Sequence, residues 1–172
     1  MAIPVYLWLK DDGGADIKGS VDVKDREGSI EVVAQDHNLY IPTDIAEFRQ
    51  RISLLQENME EWLEGTGIRI EGTTISLVEC LMGGKSFSVP GIRLFYEDRQ
   101  VKFTPVYLYG QGVTGCVESS LCVQGRVTVL CRLFMRAGEN RDWTWRPANP
   151  FTGPERAFSE DAFFELIEGL LP

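Results

Sequence analysis

Residues 113–136, VTGCVESSLCVQGRVTVLCRLFMR, are the stretch that decides the fold. Two runs rich in Val, Thr, Leu and Cys, 113–123 and 126–136, flank Gln124-Gly125. That reads as two antiparallel strands joined by a tight two-residue turn. The predicted register sets Val123 opposite Arg126 and Glu118 opposite Cys131. Cys116, Cys122 and Cys131 then share one sheet face with Val127, Val129 and Leu133, as thiols among apolar neighbours rather than ligands.

Upstream of this hairpin the β pattern continues. Strands are expected over 68–71 and 74–81, around Gly72-Thr73, then over 86–96 and 101–109. Pro90-Gly91 marks a kink or a turn, and Pro105 suggests an edge position or a bulge. Downstream, 137–158 is a polar loop. Ser159 then caps a final helix, with Glu160 and Asp161 in its first turn and Phe163, Leu166, Ile167, Leu170 and Leu171 on its apolar side.

Before the strands comes a helical signal. Thr43 and Asp44 are N-cap residues, and Glu47 stands at capping-box spacing from Asp44. Ile45, Phe48, Ile52, Leu55, Met59 and Trp62 follow at intervals of three and four, with Leu63 widening the stripe and Gly65 and Gly67 ending it. Core packing onto a sheet is expected of this stripe rather than a coiled coil. Ahead of it, 3–9, 17–23, 29–34 and 38–41 read as short strands of an antiparallel meander. The fold class is therefore α+β: an N-terminal antiparallel β meander, a helix, a mainly antiparallel sheet of about six strands, and a C-terminal helix. Two segments follow, 1–44 and 45–172.

The chain has 172 residues, 44% hydrophobic and 25% charged, which suits a globular protein and excludes disorder or a fibrous repeat. Its net charge is −9, which argues against nucleic acid as a partner. Residues 1–44 carry 4 basic and 9 acidic side chains, so the larger share of that charge lies in the first quarter. The start, Met-Ala-Ile-Pro-Val-Tyr-Leu-Trp-Leu-Lys, has no basic region and a short apolar run broken by Pro4, so it does not read as a cleavable signal. No run is long enough to span a membrane. The four cysteines, Cys80, Cys116, Cys122 and Cys131, form no Cys-x-x-Cys pair and read as buried free thiols of a cytoplasmic protein.

Chemistry-bearing motifs are sparse. His37 is the only histidine, so residues 45–172 cannot build a Ser–His–acid or Cys–His set, and no metal site or cofactor is expected. Gly83-Gly84-Lys85-Ser86 lacks the earlier glycine and the following helix of a phosphate loop. Gly110-Gln111-Gly112-Val113-Thr114-Gly115 leads into a strand rather than a helix. Glu57, Glu60, Glu61 and Glu64 form a solvated helix face. Glu118 has no second carboxylate to work with across a cleft. The most function-like piece is the loop after β-rich residues 126–136. Arg136, Arg141, Trp143, Trp145 and Arg146 are the residue types enriched at binding hot spots and are expected to contact a protein partner. The plainer alternative is a loop anchored by tryptophans packing on the sheet.

Residues 1–44, MAIPVYLWLKDDGGADIKGSVDVKDREGSIEVVAQDHNLYIPTD, resemble the N-terminus of the haemolysin-coregulated protein (Hcp) family, the tube protein of bacterial type VI secretion. The features that carry the resemblance are Ile3-Pro4-Val5-Tyr6-Leu7, Ile17-Lys18-Gly19-Ser20, Gly28-Ser29-Ile30-Glu31-Val32, Gln35-Asp36-His37 and Pro42-Thr43-Asp44. The resemblance implies part of a β-barrel, hexameric rings stacked into a tube, and export without a signal peptide. It stops at Asp44 and covers about a quarter of the chain, and 44 residues of meander bury too little to stand alone. Ring formation by this chain alone is therefore not expected, although a homo-oligomer is open. Three readings follow. One is a secretion-associated Hcp-like fusion whose α+β passenger is a cargo or effector. Another is a cytoplasmic immunity or adaptor protein with a recombined N-terminus. The least favoured is a toxin enzyme. In the first two, the partner is a secretion component or a cognate effector or immunity protein.

Overall fold

The computed structural model describes residues 31–79, 83–110, 112–137, 142–148 and 154–171, with residues 31–40 described by their backbone alone. The chain divides into two compact units, Met1–Asp44 and Ile45–Pro172. Of the first unit, the described part is helical. The meander strands expected at 3–9 and 17–23 lie outside the described residues. Those expected at 29–34 and 38–41 are replaced from Glu31 onward by helix α1, Glu31–Trp62. The expected cap at Thr43 and Asp44 falls inside the same helix, as does Pro42. No glycine or proline lies between Glu31 and Ile41, and once a helix has nucleated each added residue needs only propagation. The β-branched residues that suggested strands disfavour helix only weakly.

In the second unit the apolar stripe of α1 forms as expected. Ile45, Phe48, Ile52, Leu55, Met59 and Leu63 are buried. Each such side chain contributes roughly 1.5–3 kcal/mol relative to staying exposed. Gly65 and Gly67, both at positive φ, end the helix, and the Thr66 hydroxyl donates to the Leu63 carbonyl at 2.6 Å.

Among the described residues seven antiparallel strands follow, each hydrogen-bonded to the next in chain order. They are β1 (Arg69–Val78), β2 (Ser86–Tyr96), β3 (Arg99–Gly110), β4 (Val113–Val123), β5 (Arg126–Ala137), β6 (Thr144–Pro147) and β7 (Arg156–Ala157). Two departures from the expected six set this count: residues 69–78 run straight through Gly72 as one strand where two were expected, and the expected polar loop contains two further strands, β6 and β7, the Trp145 and Thr144 side chains of β6 joining the core. Helix α2 (Glu160–Leu166) closes the chain with a 3-10 turn, Ile167–Leu170. As expected, the Ser159 side chain caps α2 by accepting from the Ala162 N–H.

Turn chemistry sets the strand registers. At Gln124-Gly125 both central residues have positive φ, the type I′ pattern, and Val123 stands opposite Arg126 as expected. The expected pair Glu118–Cys131 does not form. A bulge between Ser119 and Ser120 shifts the register by one, so Glu118 faces Arg132 and Ser119 faces Cys131. One residue of shift exchanges sheet faces. The cysteines are therefore not on one face with Val127, Val129 and Leu133. Cys131 and Leu133 lie on the core side with Val117, and Cys122 lies opposite exposed Val127 on the other.

The prolines mark where the sheet opens. The β2–β3 ladder runs only from Tyr96↔Arg99 to Ile92↔Phe103. Pro90 and Pro105 lie beyond its end, where a missing N–H costs no bond between these two strands. Pro105 also starts the register shift between β3 and β4. At Pro90-Gly91 β2 does not turn. Its buried residues change parity there, from Phe87, Val89 and Gly91 to Ile92 and Leu94.

The core side of the sheet carries Ile92, Leu94, Val101, Phe103, Val117, Cys131, Leu133 and Trp145, all buried. Helix α1 packs here. Gly115 has positive φ, and a Cβ on it would stand 3.0 Å from the Phe48 ring and 2.9 Å from Met135. Its bare Cα is what allows the helix to approach. The C-terminal elements cover the neighbouring part: the Phe163 ring lies 5.2 Å from that of Trp62, and the Arg99 guanidinium donates to the carbonyls of Gly169 and Leu171.

Candidate functional site

The residues expected to contact a partner are held largely inside the fold. Trp143 and Trp145 are core residues, 9% and 4% exposed. Trp145 pairs across the sheet with Leu133 and Arg156, and the Arg156 guanidinium stacks 4.5 Å from the Trp145 ring centroid. The Arg146 guanidinium meets Glu155 at 2.9 Å, and the Thr144 hydroxyl donates to the same carboxylate at 3.0 Å. Arg136 reaches Glu47 of α1 at 3.3 Å. Arg141 lies outside the described residues. The tryptophans anchor the segment to the sheet, and its arginines tie β5 to α1 and β6 to residue 155.

The face of the sheet opposite the helices carries a different set. Directly opposed residues of an antiparallel pair share a face. One row across it is Thr104, Glu118, Arg132 and Arg146, from four adjacent strands. Glu118 and Arg132 make an ion pair at 3.4 Å. A second row is Glu71, Arg93, Lys102 and Ser120. Here two cations stand directly opposite each other, an arrangement that destabilises a sheet. Glu71 is shared between two guanidiniums, 3.6 Å from Arg69 and 3.7 Å from Arg93. Among the described residues, no carboxylate forms a salt bridge with Lys102. The Arg93 Nε is buried and has no hydrogen-bond partner among the described residues.

Beside this row, where β2 and β3 part, lies a cavity of about 370 Å³ lined by Thr73, Ile75, Ile92, Arg93, Lys102, Phe103 and Thr104. Gly91 adjoins these residues, opposite Thr73 in the β1–β2 register. A Cβ on Gly91 would stand 2.7 Å from the Thr73 hydroxyl and 3.2 Å from Ile75, so its bare Cα is what lets β1 side chains close over the strand. The groove thus offers two cations, two hydroxyls and one apolar side chain, Ile75, the side chains of Ile92 and Phe103 being turned to the core. It suits a group that is anionic at one end and apolar at the other. Sequence reading missed Arg93 and Lys102. The signal was weak: a two-residue turn at Glu97-Asp98 makes them opposite partners, but it lacks the Gly or Asn that usually takes the positive-φ position, which Glu97 occupies here.

The buried thiols are chemically quiet. Burial pushes the Cys116 thiol up to about 11 and the Cys131 thiol up to about 12. Tyr107 hydrogen-bonds Cys116 and is itself raised to about 12, chiefly by burial. A thiol that stays protonated near neutrality is a poor nucleophile and a poor metal ligand. Among the described residues no group of three or more His, Cys, Asp or Glu is placed to hold a metal ion, and no helix is long and apolar enough to cross a membrane. Comparison with protein-family models, with curated proteins and with solved structures finds no match to this chain.

Proposed function

We propose that this chain is a type VI secretion-associated Hcp-like fusion protein. In this reading residues 1–44 are a docking or export segment, and residues 45–172 are a non-enzymatic α+β passenger of the effector or cargo type. The observation that carries it is the continuous 44-residue run from Met1 to Asp44, with its Ile3–Leu7, Ile17–Ser20 and Gly28–Val32 features. The division of the chain between Asp44 and Ile45 supports treating the two parts separately. The helical state of residues 31–41 differs from the barrel strands that the resemblance implies there. The segment would therefore take up strand form only when paired with a tube subunit. In this reading the chain is cytoplasmic and is exported, if at all, through the type VI tube.

A second reading is a cytoplasmic immunity or adaptor protein with a recombined N-terminus, and one feature favours it: the second unit carries a cation-lined groove on an open sheet face. Co-expression with a type VI tube protein separates the two. Co-elution of the chain with tube rings, lost when residues 1–44 are deleted, is the expected result. Absence of the chain from the rings, with residues 1–44 trimmed by protease and the remainder intact, favours the second reading instead.

A further inference from the structure

We propose that the groove at Gly91 docks an acidic peptide segment of a protein partner, a carboxylate lying between Arg93 and Lys102 and an adjoining apolar side chain against Ile75. This does not depend on the role of residues 1–44.

Three observations converge on it. The two cations oppose each other in register, and of the two only Arg93 is paired with a carboxylate, Glu71, which it divides with Arg69. This spot carries excess positive charge in a chain of net charge −9. An unfavourable cation pair kept in a sheet is the kind of local cost that a binding site retains. Arg93 also has a buried, unpartnered Nε, which an incoming carboxylate would satisfy or bring back to water-mediated bonding. Finally, the cavity, about 370 Å³, exceeds what a lone inorganic anion fills, and Ile75 gives it an apolar side chain beside the cations. It is also open-sided, with the Arg93 side chain 41% exposed, so a ligand with further contacts outside the groove fits better than an enclosed small molecule.

The test uses the full chain and two sets of end-blocked hexapeptides. One set combines Asp or Glu with Leu, Ile or Phe in varied order, and the other replaces each acid by its amide. Amide chemical shifts in a ¹⁵N-labelled sample report binding and its location. The expected result is that members of the acidic set shift Thr73, Gly91, Arg93, Lys102 and Thr104, at least tenfold more tightly than their amide counterparts, and less tightly as salt is raised. Lys102→Glu should abolish the shifts while the melting temperature stays level or rises. Lys102→Arg should keep them. The proposal is overturned if no acidic peptide binds, if amide peptides bind equally, or if inorganic phosphate alone reproduces the shifts. It is also overturned if folded Lys102→Glu protein binds undiminished.

Discussion

Single residues in this chain are decided by which side of the sheet they reach. Trp145 shows it. Its residue type marked it as a binding anchor, but its strand places it opposite Leu133 at 4% exposure. Trp145→Ala should therefore cost about 3–5 kcal/mol. That lowers the melting temperature by roughly 6–20 °C for a chain of this size. A variant that melts like the parent would return this tryptophan to the surface. The thiols are the second residue-scale case. Cys116 and Cys131 keep their protons in the folded chain to about pH 11 and 12, against an ordinary value of 9.0 that applies once unfolded. The folded state holds more protons than the unfolded state in that window, so stability is intact below pH 9 and falls as pH rises toward 11–12. Urea unfolding between pH 8 and 11 should show this decline, and Cys131→Ala should make it shallower. At pH 8 both thiols should resist alkylation in the native protein and react once it is unfolded.

Whole elements follow from turn and helix chemistry, with local exceptions. The two-residue turns at Glu97-Asp98 and Gln124-Gly125 set two hairpin registers. At the first, only Glu97 has positive φ, the type II′ pattern, in which glycine is preferred at that position. Glu97→Gly should then stabilise the protein by about 0.5–1 kcal/mol, seen as a higher denaturant midpoint with an unchanged slope. A loss of stability would mean that the Glu97 side chain contributes more than its backbone costs. The α1 stripe from Ile45 to Leu63 and the Ser159 cap were legible because periodicity and capping act over a few residues. The bulge at Ser119/Ser120 was not legible. Nothing in the run Thr-Val-Leu-Cys signals that Leu130 is left without a β4 partner, because a bulge is chosen by how the sheet coils against its neighbours. For the same reason the cysteines were read onto one face when the register divides them.

At the scale of the whole molecule, the second unit holds its own core, from Ile45 of the helix to Leu170 after α2. A fragment of residues 45–172 should fold alone and unfold cooperatively, as read by near-ultraviolet circular dichroism and denaturant titration. A fragment lacking a cooperative transition would make the first unit part of its folding. By itself the sequence determined the α+β class, the apolar stripe of the central helix, the β4–β5 hairpin and the final cap. Each is a local pattern or a contiguous run, so it is readable without knowing what packs where. Only the tertiary structure decided that residues 31–41 continue a helix and that β6 and β7 form within an apparent loop. Only it decided that the tryptophans are core, and that Arg93 and Lys102 meet beside a groove where two prolines let the strands part. Those outcomes depend on partners distant in the chain, and short-range propensities too weak to resist them give way to packing and register.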